Sequence, residues 1–266
     1  MVGHALGMRI NPDPSRSIKE QVREAVRLGA KGVVLDAAGD LAPDRLSDTG
    51  RREVKHLLRT VEASLIALHL PTRRPFDTVD QLEDRLARAD RAFALAFELG
   101  ARLILARVGV VPSTEPPDAA RRETFAHALT ELGRRADHRG VRLAIETEGG
   151  PPAALRGFLD AVDSPGLAAS LDPAALLRVG QDPPAAAVAL GPHVVHAYAN
   201  DASSGSGAAR IANPRGSGYP AGVLDWAEYV GALEEIAYRG PLTLWPDPAF
   251  DPATQFTAMV ARLNRL

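Results

Sequence analysis

The sequence predicts one α/β domain over residues 1–266, folded as a single-domain (β/α)8 barrel, and three observations carry that expectation. A short apolar run, a polar opening and a 3.6-period amphipathic stretch recur along the chain, the pattern of consecutive βα units and a parallel sheet. The length of 266 residues with 45% hydrophobic content suits one barrel with a large core. Several of the apolar runs end in residues that carry chemistry, including His69, Arg107, Glu146 and Asp172, and the C-terminal ends of barrel strands form the working face.

The first strand is HALGMRI, followed from about Ser17 by a helix with Ile18, Val22, Ala25, Val26 and Leu28 on one face and Gly29 near its stop. GVVLD gives a second strand ending at Asp36, and its helix follows Asp48 with Val54, Leu57, Leu58 and Val61. LIALHLP is the third strand, ending at His69, and a long helix from about Thr78 to Leu99 closes on Gly100. RLILARVGV is the fourth, with Arg107 near its end, and the helix from about Asp118 carries Phe125, Leu129 and Leu132. VRLAIE, GLAASLD and HVVHAYA are the fifth to seventh strands, separated by helical stretches at Ala153 to Val162 and Pro184 to Leu190. A helix from Asp225 through Tyr238, the strand PLTLW and an amphipathic tail from Ala253 to Leu266 complete the pattern.

Composition narrows the partners. The formal net charge of -2, with no Lys/Arg-rich block, leaves no electrostatic footprint for nucleic acid. The absence of cysteine excludes disulfides, thiolate nucleophiles and Cys-ligated zinc. MVGHALGMRI lacks the basic and long apolar regions of a leader, and no window approaches the ~20 apolar residues of a membrane span. A soluble, cytoplasmic protein with no membrane partner is expected. One connection is long, Ala202 to Gly222, rich in Gly, Ser, Ala and Pro; its composition suits a functional lid and a disordered insertion equally.

Alternation along strands places residues of like parity on one face, so Glu146 and Glu148 share a direction, as do His196, Tyr198 and Asn200. With Glu146 toward the barrel axis, the upper layer gathers His69, Arg107, Glu146, Asp172, Tyr198 and Trp245. Buried carboxylates there need a cation or protonation. The layer is then either a ligand site or a plug in which Arg107 pairs with Glu146 or Asp172. His4, His56, His127 and His138 fall at a terminus or on helices and receive no role.

The back half carries a more specific signal. LAIE at Leu143 to Glu146, SLDP at Ser170 to Pro173, HAYAND at His196 to Asp201, and PRGSG followed by LDWAEYVGALEEIAYRGPLTLW stand in the order and spacing of four motifs. In these stretches the chain resembles the xylose isomerase-like TIM barrels, which include sugar-phosphate isomerases, ketose 3-epimerases, inosose dehydratases and the endonuclease IV branch. The resemblance implies a divalent metal held by Glu, Asp, His and Glu from strands five to eight, with glutamates moving protons on a sugar. Glu146 and Asp172 match the first two ligands. The metal histidine falls on Tyr198, the last glutamate on Trp245, and a further histidine used on substrate oxygen on Ala175.

The resemblance thus implies a sugar (phosphate) isomerase or epimerase acting on a small keto-sugar or polyol, with two of four metal ligands replaced. Its cofactor is either none or a weakly held divalent metal, Mg or Mn, on Glu146 and Asp172. Glu146 is the catalytic candidate. His69, Arg107, Asp172, His196, Tyr198, Arg215 and Trp245 are the substrate-binding candidates: aromatic faces suit a sugar ring, Arg107 offers fixed charge in the metal's place, and Arg210 or Arg215 a second anion contact. His196 or Asp247 could supply a ligand only through a register shift of ~6.6 Å. The alternative is a non-catalytic carbohydrate-binding or partner-binding barrel. An abasic-site endonuclease would need several metals and a basic groove.

Overall fold

The computed structural model describes residues 3–13, 15–201, 224–248 and 251–266. Eight parallel strands close into one barrel in chain order, β1 pairing with both β2 and β8. They are β1 Leu6–Arg9, β2 Gly32–Asp36, β3 Ser64–Leu70, β4 Leu103–Ala106, β5 Arg142–Glu146, β6 Leu167–Leu171, β7 Val194–Tyr198 and β8 Leu242–Leu244. The helices are α1 Ile18–Arg27, α2 Asp48–Thr60, α3 Leu82–Leu99, α4 Ala119–His138, α5 Pro152–Val162, α6 Pro173–Arg178, α7 Pro183–Leu190, α8 Trp226–Glu235 and α9 Pro252–Leu263. The predicted fold class is the observed one.

Local chemistry sets the helix starts. Ser17 accepts from the Glu20 amide while Glu20 reaches back to Ser17, a capping box that opens α1. Asp225 and Asp251 cap α8 and α9 through the amides of Glu228 and Thr254.

Three boundaries differ from the sequence reading. The third helix begins at Leu82 rather than near Thr78, because Gln81 takes a left-handed conformation (φ 51) and Arg85 donates to the carbonyls of Pro75, Thr78 and Asp80, holding that stretch as a loop. The region expected to hold one short helix near Pro184 to Leu190 holds α7 and, before it, α6, whose six residues follow directly on β6. The helix expected to run to Tyr238 ends at Glu235, where Ala237 turns the chain at φ 56.

The core divides in two. Strand residues pointing outward pack with Phe93, Phe125 and Phe256 of the helices. Inside the ring, Val34, Ala67, Leu105, Ala144 and Ala168 form a separate cluster under Tyr198. Ile66 fills the floor: a Cβ on Gly32 would lie 2.7 Å from Ile66 Cγ1, and one on Gly7 would also meet Ile66. With alanines over that floor, the larger polar side chains are left to the C-terminal ends of the strands.

Candidate functional site at the barrel mouth

Seven strands send a side chain, from their last residue or one beside it, into one connected group: Arg9, Asp36, His69, Arg107, Glu146, Tyr198 and Trp245. At its centre is Arg9, 3% exposed. Nη1 donates to the Tyr198 hydroxyl at 3.2 Å and lies 3.6 Å from Glu146 Oε1, while Nη2 donates to Asp36 Oδ1 at 3.1 Å and to His69 Nδ1 at 2.7 Å. The Trp245 ring covers the guanidinium, its centroid 3.8 Å from Cζ.

Trp245 is fixed at both ends. Its indole N–H donates to Asn11 Oδ1 and its backbone N–H to Asn200 Oδ1, each at 2.8 Å. A rigid aromatic face is thereby presented beside the acidic group.

Glu146 is the most constrained acid of the group. Tyr198 donates to Oε1 at 2.7 Å. Oε2 is buried without a hydrogen bond, 3.5 Å from His69 Nε2 and 3.7 Å from Arg107 Nε. Burial by itself raises its pKa, but His69, Arg9 and Tyr198 outweigh that and hold it at about 2. Tyr198 moves the other way: burial and the Glu146 charge lift its pKa well above 10, so the phenol stays a donor.

His69 experiences opposed pulls. Burial lowers its pKa, but Asp36 and Glu146 reverse that and the net direction is upward. Yet an arginine nitrogen only donates, so the 2.7 Å approach of Arg9 requires a lone pair on Nδ1. The geometry is that of the neutral ring with its proton on Nε2, facing Glu146; protonation requires Arg9 to leave Nδ1.

Arg107 stands at the rim, its side chain 42% exposed, with Nε 3.7 Å from Glu146 Oε2 and 3.8 Å from Glu148 Oε1. Among the described residues its terminal nitrogens make no hydrogen bond. Glu148 is a site residue that the sequence reading did not single out: the Gly109 amide donates to its Oε2 at 3.0 Å, and it lines a hollow with Glu146, Val110 and Pro151.

Two expected residues stand apart from this group. Asp172 caps α6, its Oδ1 accepting from the amides of Ala174 and Ala175 at 3.1 and 3.2 Å, and it forms no ion pair among the described residues. Burial and the nearby Glu146 charge raise its pKa. His196 is fully buried, bonded to Ser170 Oγ at 2.8 Å and Thr243 Oγ1 at 3.1 Å, and its ring supports Tyr198 edge-on at 4.6 Å. With both nitrogens engaged beneath the layer a ligand can reach, it sits as a support for that layer. Arg210, Arg215 and the long connection lie outside the described residues.

Arg107 was the expected source of fixed charge, but the buried cation is Arg9, the principal residue the sequence reading missed. Its signal was a lone arginine closing an apolar strand at the same parity as Gly7. Asp36, at the end of β2, was legible on the same ground.

The geometry also tests the metal that the resemblance implies. Among the described residues, no group of three or more His, Asp or Glu side chains is arranged to hold a metal ion. The Arg9 guanidinium lies between the Asp36, His69 and Glu146 side chains, and a dication at ligand distance of ~2.0–2.6 Å from these groups would press against it. With the Asp172 carboxylate turned to the amides of α6 as well, the described residues do not fit a divalent metal.

No curated protein sequence matches the chain. Solved structures do match in shape. A xylose isomerase domain protein from Planctomyces limnophilus has a TM-score of 0.77 at 16% identity, over 98% of this chain and 95% of that one. The 3-keto-D-glucoside 4-epimerase YcjR from E. coli has a TM-score of 0.74 at 16% identity, over 99% and 100%. A D-psicose 3-epimerase, solved in the presence of D-fructose, has a TM-score of 0.72 at 15% identity, over 91% and 85%. At such identities these likenesses show the fold. The family model for the xylose isomerase-like TIM barrel matches residues 22–265, nearly the whole length, and the chain belongs to that family.

Proposed function

We propose that the protein is an isomerase- or epimerase-type enzyme acting at the barrel mouth on a small keto-sugar or polyol-derived sugar, with Glu146 as its proton-transfer group. The observation that carries this reading is the asymmetry of Glu146: Oε1 is held by Tyr198, while Oε2 is buried and makes no hydrogen bond, with His69 Nε2 3.5 Å away. Beside it stand Arg107, with terminal nitrogens that bond nothing among the described residues, and the clamped Trp245 ring. Acceptor, donor and aromatic face together suit a polyhydroxylated ring or chain. The sugar epimerases among the structural neighbours support the same substrate class.

In the proposed reaction Glu146 Oε2 takes the proton from the carbon next to a carbonyl, leaving an enediolate whose oxygen faces Arg107. The same carboxyl returns the proton to the adjacent carbon while the remaining hydroxyl proton passes from one enediolate oxygen to the other, which interconverts ketose and aldose. A carboxylate held at about 2 is a weak base, so turnover is expected to be slow. The test is incubation with a ketose panel in heavy water, followed by NMR: deuterium at the carbon next to the carbonyl supports the reading, and no incorporation from any member removes it.

A second reading, a carbohydrate-binding barrel without turnover, is favoured by Asp172, whose carboxylate is committed to amides of its own helix. Ligand-induced thermal stabilisation without deuterium incorporation would select it.

A further inference from the structure

The cation in this layer differs in kind from the one that the fold family uses. Arg9 is fixed to β1, donates to Asp36, His69 and Tyr198, and lies 3.6 Å from Glu146 Oε1. Trp245 seals it from above, and only 3% of the residue is exposed. Two carboxylates, a phenol and an imidazole therefore share one tethered positive charge.

Electrostatics shows what this arrangement permits. A buried carboxylate costs several kcal/mol unless a cation is close, so Glu146 without Arg9 would need a mobile ion or a proton. With Arg9 in place a second positive charge gains little and meets strong repulsion at contact distance. Arg107 does not fill this role, since its side chain is 42% exposed and touches Glu146 only from the rim. Arg9 is buried beneath the Trp245 ring, which makes it a positioning residue.

We infer that the Arg9 guanidinium is the permanent cation of this site, standing where a divalent ion would otherwise have to sit, so that ligand binding at the barrel mouth is independent of metal. The ligand half of this inference rests on the sugar-site reading; the metal half does not.

The experiment has two arms. In the first, chelator-treated protein is titrated with Mn²⁺ alone and the free ion is followed by EPR. The expected result is no stoichiometric uptake; one tightly held ion per chain, lost in Glu146→Gln, would overturn the inference. In the second, the thermal shift produced by D-fructose and by D-fructose 6-phosphate is compared in chelator and in excess Mn²⁺. An equal shift in both is expected, abolished in Arg9→Met and partly kept in Arg9→Lys. A shift that needs Mn²⁺, or one that survives unchanged in Arg9→Met, would overturn it. If Arg9→Met does not fold, the Mn²⁺ titration of the unaltered protein still decides. If neither sugar shifts the midpoint, the sugar-site reading loses its support, whereas Mn²⁺ exclusion is read without any sugar.

Discussion

Tyr198 donates its phenolic proton to Glu146 Oε1 across 2.7 Å, and both side chains are buried. This bond engages one oxygen of the carboxylate and leaves the other, Oε2, without a hydrogen bond. It also explains how an acid can remain ionised at the top of an apolar barrel interior, because the phenol and Arg9 supply what water supplies elsewhere.

Tyr198→Phe keeps the ring and removes the donor. Oε1 is then left with Arg9 at 3.6 Å, and a loss of about 1–3 kcal/mol in unfolding free energy is expected from urea denaturation. A neutral result would mean that the bond holds nothing in place.

Glu146→Gln preserves shape while removing the base. Deuterium incorporation into the ketose that reacts fastest should fall by about 10²–10⁴-fold with the circular dichroism spectrum unchanged. An unaltered rate would take Glu146 out of the mechanism.

Acid stability should fall in two windows. His196 is buried neutral, and burial pulls its pKa from 6.5 to about 4. The unfolded chain therefore binds a proton that the folded one refuses, and stability is lost as pH falls from 6.5 toward 4, by about 3 kcal/mol at most. Glu146, lowered from 4.5 to about 2 despite its burial, adds a second loss as pH falls from 4.5 toward 2. Urea midpoints measured across this range should show both. His196→Gln should flatten the first window and leave the second; a pH profile identical to that of the unaltered protein would count against a buried neutral His196.

The barrel floor offers a test of packing alone. A Cβ at Gly32 would meet Ser64 Oγ and sit 2.7 Å from Ile66 Cγ1, so Gly32→Ala should cost about 1–3 kcal/mol, the usual penalty for an overfilled core. Combining it with Ile66→Ala should recover part of that loss in a double-mutant cycle. Strict additivity of the two changes would show that the contact is relaxed elsewhere.

Much of the fold was legible because periodicity and strand ends are local signals. GVVLD, LIALHL and LAIE each read as a strand from their own residues, and parity alone gathered His69, Arg107, Glu146, Tyr198 and Trp245 on one rim, where the structure brings them together. Parity says nothing of partner choice, however. That Arg9 from β1 reaches Tyr198 of β7 depends on ring closure between β1 and β8, which is information no segment carries alone. Asp172 shows the same limit, since its alternation suits the rim while the immediate start of α6 at Pro173 turns its carboxylate to the helix amides. The loop ahead of α3 escaped because Arg85, in the first turn of that helix, donates back to the carbonyls of Thr78 and Asp80 and overrides helical propensity there.

Strand β6 passes into α6 with Asp172 as the single joint, and that acid grips the first amides of the helix it opens. Drawing it toward any guest in the barrel would unfasten this short helix at its base. Recruiting the residue would leave the amides of Ala174 and Ala175 without their acceptor.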